Sequence, residues 1–164
     1  MFQRDSYSGD RTNDYKRLIN QLQALSEDET DTIALLSNAS ALLNQFLDEV
    51  NWVGFYIWND HDSELVLGPF QGLPACIRIA YGKGVCGTAI KEQVTKRVPD
   101  VAAFPGHIAC DSASQSEIVV PLFMNGQIFG VLDIDSPNIN RFDETDQFYL
   151  ETFTAELKQF ITEK

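Results

Sequence analysis

Cysteine is the residue type in this chain best suited to covalent chemistry, and there are three: Cys76, Cys86 and Cys110. Cys110 lies in a polar stretch with Asp111, Ser112 and Ser114, three residues after His107. That is the setting of an exposed, reactive thiol. His107 is placed to help form the thiolate, while the adjacent Asp111 works against it. Cys76 and Cys86 have apolar neighbours and read first as core thiols; only proximity to Cys110 would make them redox partners. A zinc site from the three thiols and His107 is a poor match, because the C-x9-C spacing contains no C-x2-4-C pair. No metal is expected, and His61, in a polar turn, is assigned no role.

Carboxylates form the second group. Alternation along Gln127 to Asp135 puts Phe129, Val131, Asp133 and Asp135 on one face and Leu132 and Ile134 on the other. Two readings stand: the aspartates cap the turn at Ser136-Pro137, or they line the rim of a pocket. The Asn125-Gly126 turn fixes an antiparallel register that brings Glu117 toward both. Three such neighbours raise at least one pKa, which leaves a protonated carboxyl near neutral pH and favours a cationic ligand. Trp52, Gly54, Tyr56 and Trp58 share a face of an earlier strand. They are core aromatics or a cradle in which Gly54 leaves space for a small ligand.

The elements that must position these residues follow from periodicity. Tyr15 to Leu25 has helical spacing, and Ser26-x-x-Glu29 resembles a capping box opening a second helix that runs to about Glu49 through Ile33, Leu36, Ala39, Leu43, Phe46 and Leu47. Val50 to Trp58 and Glu64 to Phe70 form a hairpin. Cys76 to Ala80 alternates, Gly82-Lys83-Gly84 breaks the chain, and a short helix spans Val85 to Glu92. Asp100 to Ser114 is a long loop of the kind that carries function. Glu117 to Phe123 and Gln127 to Asp135 make a second hairpin. A terminal helix from about Asp143 buries Phe148, Leu150, Phe153, Leu157, Phe160 and Ile161. This order describes an α+β domain whose sheet is covered by terminal helices.

The 164 residues, 44% hydrophobic, suit one domain. Residues 1–12 are expected to be a flexible N-terminus and 13–164 a single domain. A net charge of -12 disfavours nucleic acid. No run approaches the roughly 20 apolar residues of a membrane span, and the start lacks a signal peptide, so the expected location is cytoplasmic. Three cysteines are too few for a secreted disulfide framework.

Together, Asn51-Trp52-Val53-Gly54-Phe55-Tyr56, Gly68-Pro69-Phe70-Gln71-Gly72, Gly82-Lys83-Gly84-Val85-Cys86-Gly87-Thr88-Ala89, Ser116-Glu117-Ile118-Val119-Val120-Pro121 and Gly130-Val131-Leu132-Asp133-Ile134-Asp135-Ser136 resemble the free methionine-(R)-sulfoxide reductases of the GAF-domain family. The resemblance covers about Asp31 to Ile161. The three cysteines with Leu-Asp-Ile-Asp-Ser are more specific than a general GAF signature.

The resemblance implies a GAF fold, a central antiparallel sheet with helices packed on its faces, enclosing a pocket for one free amino acid. It implies that Cys110 is the catalytic cysteine and that Cys76 and Cys86 are the other thiols of the redox cycle. Glu117, Asp133 and Asp135 become the substrate-binding carboxylates, with Trp52 and Tyr56 the aromatic wall. The expected activity is reduction of free methionine (R)-sulfoxide through a Cys110 sulfenic acid and a disulfide, to Cys76 first or alternatively to Cys86. Thioredoxin, fed by NADPH through thioredoxin reductase, would recycle it; no cofactor is expected to be bound, and a homodimer follows from the likeness to GAF proteins. The rival classes are a non-catalytic GAF sensor of a small molecule and a thiol peroxidase or general redox sensor.

Overall fold

The computed structural model describes residues 6–108 and 110–161. Asp10 accepts a hydrogen bond from the Asn13 amide and so opens α1 (Arg11–Ser26), whose Tyr15, Leu18, Ile19 and Leu22 are buried. Just upstream, the Asp14 carboxylate accepts the backbone amides of Ser8 and Gly9, each at 2.8 Å. The cap of α2 (Thr32–Phe46) corrects the expected box at Ser26. Asp31 is the residue in reach of the first turn and accepts from the Ala34 amide at 3.0 Å. Glu29 instead binds the amides of Thr30 and Asp31, holding the turn between the helices. Ile33, expected in the buried stripe, borders an open groove with Ile57, Leu67, Met124 and Phe129 and is 68% exposed.

Six strands form one antiparallel sheet: β1 (Trp52–Asn59), β2 (Glu64–Gly72), β3 (Arg78–Ala80), β4 (Lys96–Val98), β5 (Ser116–Met124) and β6 (Gln127–Ser136), in the order β3-β2-β1-β6-β5-β4. Periodicity missed β4, because three residues are too few to alternate; pairing with β5 defines it. α3 (Gly84–Glu92) follows β3, and α4 (Glu144–Lys158) closes the chain. Asp143 and Asp146 cap α4 reciprocally, each side chain accepting the other's amide. Leu150, Phe153 and Leu157 are fully buried in this helix, but Phe148 is 61% exposed. It precedes Leu150 by two positions, about 200° around the helix, so both cannot face the sheet.

The sheet separates two apolar clusters. On one face α1, α2 and α4 pack Leu18, Leu36, Leu43 and Phe153 against Val53, Phe55, Ile118, Leu132 and Ile134. On the other, Val85, Cys86, Ala89 and Ile90 of α3 pack against Trp52, Tyr56, Val119 and Val131. Two irregularities interrupt the alternation. In the β5–β6 hairpin, Leu122 pairs with Gly130 and Phe123 with Ile128, leaving Phe129 unpaired. This bulge turns Phe129 to the helix-covered face, where it leaves the row of Val131, Asp133 and Asp135 expected for it. Between β1 and β2 the register shifts around Phe55, opposite Gly68 and Pro69, where a proline could not donate to the ladder.

Candidate active site

Register stacks the expected site residues in adjacent rows. Asp133 lies between Gly54 and Val119, and Asp135 between Trp52 and Glu117. Cross-strand neighbours share a face, so both aspartates and Glu117 project with Trp52 and Tyr56 toward α3. The absent side chain of Gly54 is not left open for a ligand: a Cβ there would meet Phe70 Cβ at 2.4 Å and Trp52 Cη2 at 2.6 Å. The indole fills that space, stacking on Phe70 at 5.2 Å and on Tyr56 at 5.8 Å, and its Nε1 donates to the Leu73 carbonyl at 3.1 Å.

α3 lays Cys86 across this face. Its Sγ, one Glu117 oxygen and one Asp133 oxygen lie within 4.8 Å of one another, and all three residues are buried. Asp133 Oδ1 is buried without a hydrogen-bond partner among the described residues. Burial pushes the Glu117 carboxyl well above the ordinary range, and the charge of Asp135 pushes it further. Asp133 rises for the same first reason and then because Glu117 is beside it. Asp135 rises through burial and the charge of Asp133, and the buried Cys86 thiol rises through burial and the charge of Asp133. Burial and neighbouring charge therefore both favour the neutral form of each group, and a cation in their midst would relieve that.

Cys110 forms a disulfide with Cys76, their Cα atoms 5.6 Å apart. The Tyr56 hydroxyl donates to the Cys76 carbonyl at 3.0 Å, tying the disulfide to the aromatic wall. The loop bearing Cys110 is pinned at several points. Asn51 Nδ2 donates to Asp111 Oδ2 at 2.9 Å and Ser114 Oγ at 3.0 Å, and the Gln115 amide donates to the Ser136 carbonyl at 2.7 Å. Asp111 is held below the usual carboxylate range by the Ala113 amide and by Asn51. His107, from the same loop, places Nε2 3.5 Å from Glu117 Oε2, and burial lowers its pKa.

The arrangement is a disulfide tied through Tyr56 to a sheet face that carries two buried carboxyls and a half-buried third, with the free thiol of Cys86 beside Glu117 and Asp133. A GAF-domain model matches residues 26–162. The chain belongs to the GAF-domain family, alongside the free methionine-R-sulfoxide reductases. It is 48% identical over 151 residues to the free methionine-R-sulfoxide reductase of Escherichia coli, covering 92% of this chain and 90% of that one. It is 58% identical to Protein YtsP of Bacillus subtilis, covering 99% of this chain and all of that one. Among solved structures, the free methionine-R-sulfoxide reductase of Neisseria meningitidis in complex with its substrate superposes with a TM-score of 0.93 at 44% identity, covering 98% of this chain and 95% of that one.

In this GAF domain one group was not visible in the sequence and another has a different partner from the one expected. Asn51 precedes the first strand, and nothing in its local pattern points to a loop some sixty positions later. His107 was visible only as a neighbour of Cys110, whereas its contact is with Glu117 on the sheet. A groove of about 800 Å³ between Ile33, Leu36, Ile57, Met124, Phe129 and Ile161 involves none of these groups.

Proposed function

We propose that this protein reduces free methionine (R)-sulfoxide to methionine with Cys110 as nucleophile. The observation that carries the reading is the Cys76–Cys110 disulfide, tied through the Tyr56 hydroxyl to the sheet face that holds the buried Glu117 and Asp133 and the half-buried Asp135. Identity of 48% to a reductase with that activity in its name supports it.

In the forward reaction the Cys110 thiolate attacks the sulfoxide sulfur while a protonated Glu117 or Asp135 carboxyl donates to the sulfoxide oxygen. Oxygen passes to Cys110 as sulfenic acid and methionine leaves as the thioether. The substrate sulfur is thereby reduced by two electrons and the cysteine sulfur oxidised by two. The Cys76 thiol then displaces the sulfenic hydroxyl as water, forming the disulfide. A dithiol such as thioredoxin, supplied by NADPH through thioredoxin reductase, returns both thiols by exchange. Asp133, with its unpartnered oxygen, is the partner of the substrate ammonium, because a buried cation requires an acidic counterpart. Backbone amides of the Cys110 loop hold the substrate carboxylate. A site that needs both free termini rejects the same residue within a peptide.

A non-catalytic sensor of nucleotides is disfavoured, since burial and neighbouring charge already work against negative charge on Glu117, Asp133 and Asp135, and a phosphate would add more at the same place. NADPH consumption coupled through thioredoxin and its reductase is the test, with the free R and S epimers and a peptide-bound sulfoxide as substrates. Turnover of the free R epimer alone, lost in Cys110→Ser, is the expected result. Equal turnover of the peptide, or full activity in Cys110→Ser, overturns the proposal.

A further inference from the structure

Cys86 has no step in the chemistry above, yet its thiol lies beside two buried carboxyls. Its Sγ lies within 4.8 Å of both a Glu117 oxygen and an Asp133 oxygen, and all three are shut away from water. Asp133, only 7% exposed, keeps one oxygen without a hydrogen-bond partner among the described residues. His107 Nε2 stands 3.5 Å from Glu117 Oε2, long for a hydrogen bond. Ligands about 2.0–2.3 Å from a tetrahedral zinc ion are separated by roughly 3.3–3.7 Å, so this spacing suits an edge of a coordination tetrahedron.

The four side chains come from separate places: Cys86 from α3, Glu117 from β5, Asp133 from β6 and His107 from the loop before β5. They offer one thiolate, one imidazole and two carboxylates, a donor set that suits a borderline divalent cation and has too few oxygens for calcium or magnesium. We propose that Cys86, Glu117 and Asp133, which already lie together, bind Zn²⁺ or Co²⁺ with His107 drawn in from its place beside Glu117 as the fourth ligand, and that the ion occupies the space the sulfoxide substrate needs. This site differs from one built on all three cysteines, since it uses a single thiol and forms while Cys76 and Cys110 are joined. Binding displaces the protons that burial keeps on the thiol and carboxyls.

Metal binding does not depend on the reductase reading; competition with substrate does. The test is Co²⁺ titration of the oxidised full-length protein, followed by absorption. A sulfur-to-cobalt charge-transfer band together with strong tetrahedral ligand-field bands is expected, bleached by Zn²⁺. Cys86→Ser should remove the charge-transfer band, and Asp133→Asn and His107→Ala should each weaken cobalt binding at least about tenfold, consistent with loss of one ligand. Circular dichroism and thermal melts would establish that each variant is folded. The Cys76→Ser/Cys110→Ser double variant should retain the band. A band that survives in folded Cys86→Ser, or that vanishes in the double variant, overturns the assignment, as does unchanged cobalt affinity in both Asp133→Asn and His107→Ala. Displacement of cobalt by free methionine (R)-sulfoxide, measured on the same sample, is expected. Tight cobalt binding that the substrate leaves untouched would preserve the metal site and refute its overlap with the substrate site.

Discussion

Taking a carboxyl out of water costs most when nothing inside replaces its lost hydrogen bonds, and one oxygen of Asp133 is in that position. The cost has a definite pH signature. Burial and Glu117 raise the folded-state pKa of Asp133 above its ordinary 3.8, so above that pH the unfolded chain loses its proton first. The native state then binds more protons than the unfolded one, and stability falls as pH rises from about 4 through the raised value. Asp133→Asn removes this penalty while keeping the shape. The variant should melt higher than the wild type at pH 7, by about 2–4 °C for each kcal/mol relieved, with the gain disappearing near pH 3. Thermal melts across that range check it, and an equal shift at every pH would rule the explanation out. The closeness of Glu117, Asp133 and Asp135 was legible in the sequence, because Asn125-Gly126 takes the positive φ values, 49° and 80°, that suit a tight hairpin turn. The approach of Cys86 was not, since helical spacing says only that its face is apolar.

At the scale of elements, the contact between β1 and β2 is set by what Gly54 lacks. Gly54→Ala forces a methyl group against Phe70 Cβ at 2.4 Å and Trp52 Cη2 at 2.6 Å. One of these contacts is to a Cβ that cannot swing away, so overpacking should cost about 1–3 kcal/mol and tilt the indole. Urea denaturation and near-ultraviolet circular dichroism would register both effects; an unchanged spectrum would mean that the wall is not rigid. The Cys110 loop is held from outside by Asn51, whose amide bonds Asp111 and Ser114. Asn51→Ala should lose about 0.5–1.5 kcal/mol per hydrogen bond and accelerate amide exchange in 110–115 selectively. Uniform acceleration across the sheet would point to global destabilisation instead. Strand and helix types were readable from alternation, but both bulges were hidden, because a single unpaired residue leaves no periodic trace.

For the whole molecule, Asp146 joins elements from both ends of the chain. It is 1% exposed, accepts the Tyr15 hydroxyl at 2.6 Å, and pairs with Arg11 at 2.6 Å and Arg141 at 3.2 Å. The phenol of Tyr15 is pushed up by burial and by the charge of Asp146, so it remains a hydrogen-bond donor throughout the working pH range. Removing the carboxylate in Asp146→Ala leaves the buried Tyr15 hydroxyl without its acceptor and Arg141 without its carboxylate, while Arg11 keeps Asp143, and should cost about 1–3 kcal/mol. The midpoint of urea unfolding should drop sharply, while the disulfide chemistry of the folded fraction stays intact; a loss under about 1 kcal/mol would mean that surface charges carry the junction. No helix among the described residues is long and apolar enough to cross a membrane.

Local pattern alone determined the element types, the hairpin that gathers Glu117 with the aspartates and the aromatic face of β1. These depend on periods of 2 and 3.6 residues and on turn chemistry, all contained within short stretches of chain. Cys110, expected as an exposed thiol, is half-buried and joined to Cys76. Tertiary structure alone decided which thiol pairs with Cys110, that Trp52 rather than a ligand fills the space beside Gly54, and that Cys86 and His107 meet the carboxyls. Those outcomes depend on how α3 and a long loop settle on the sheet across separations of about 10–50 residues, with irregular chain between that carries no periodic register.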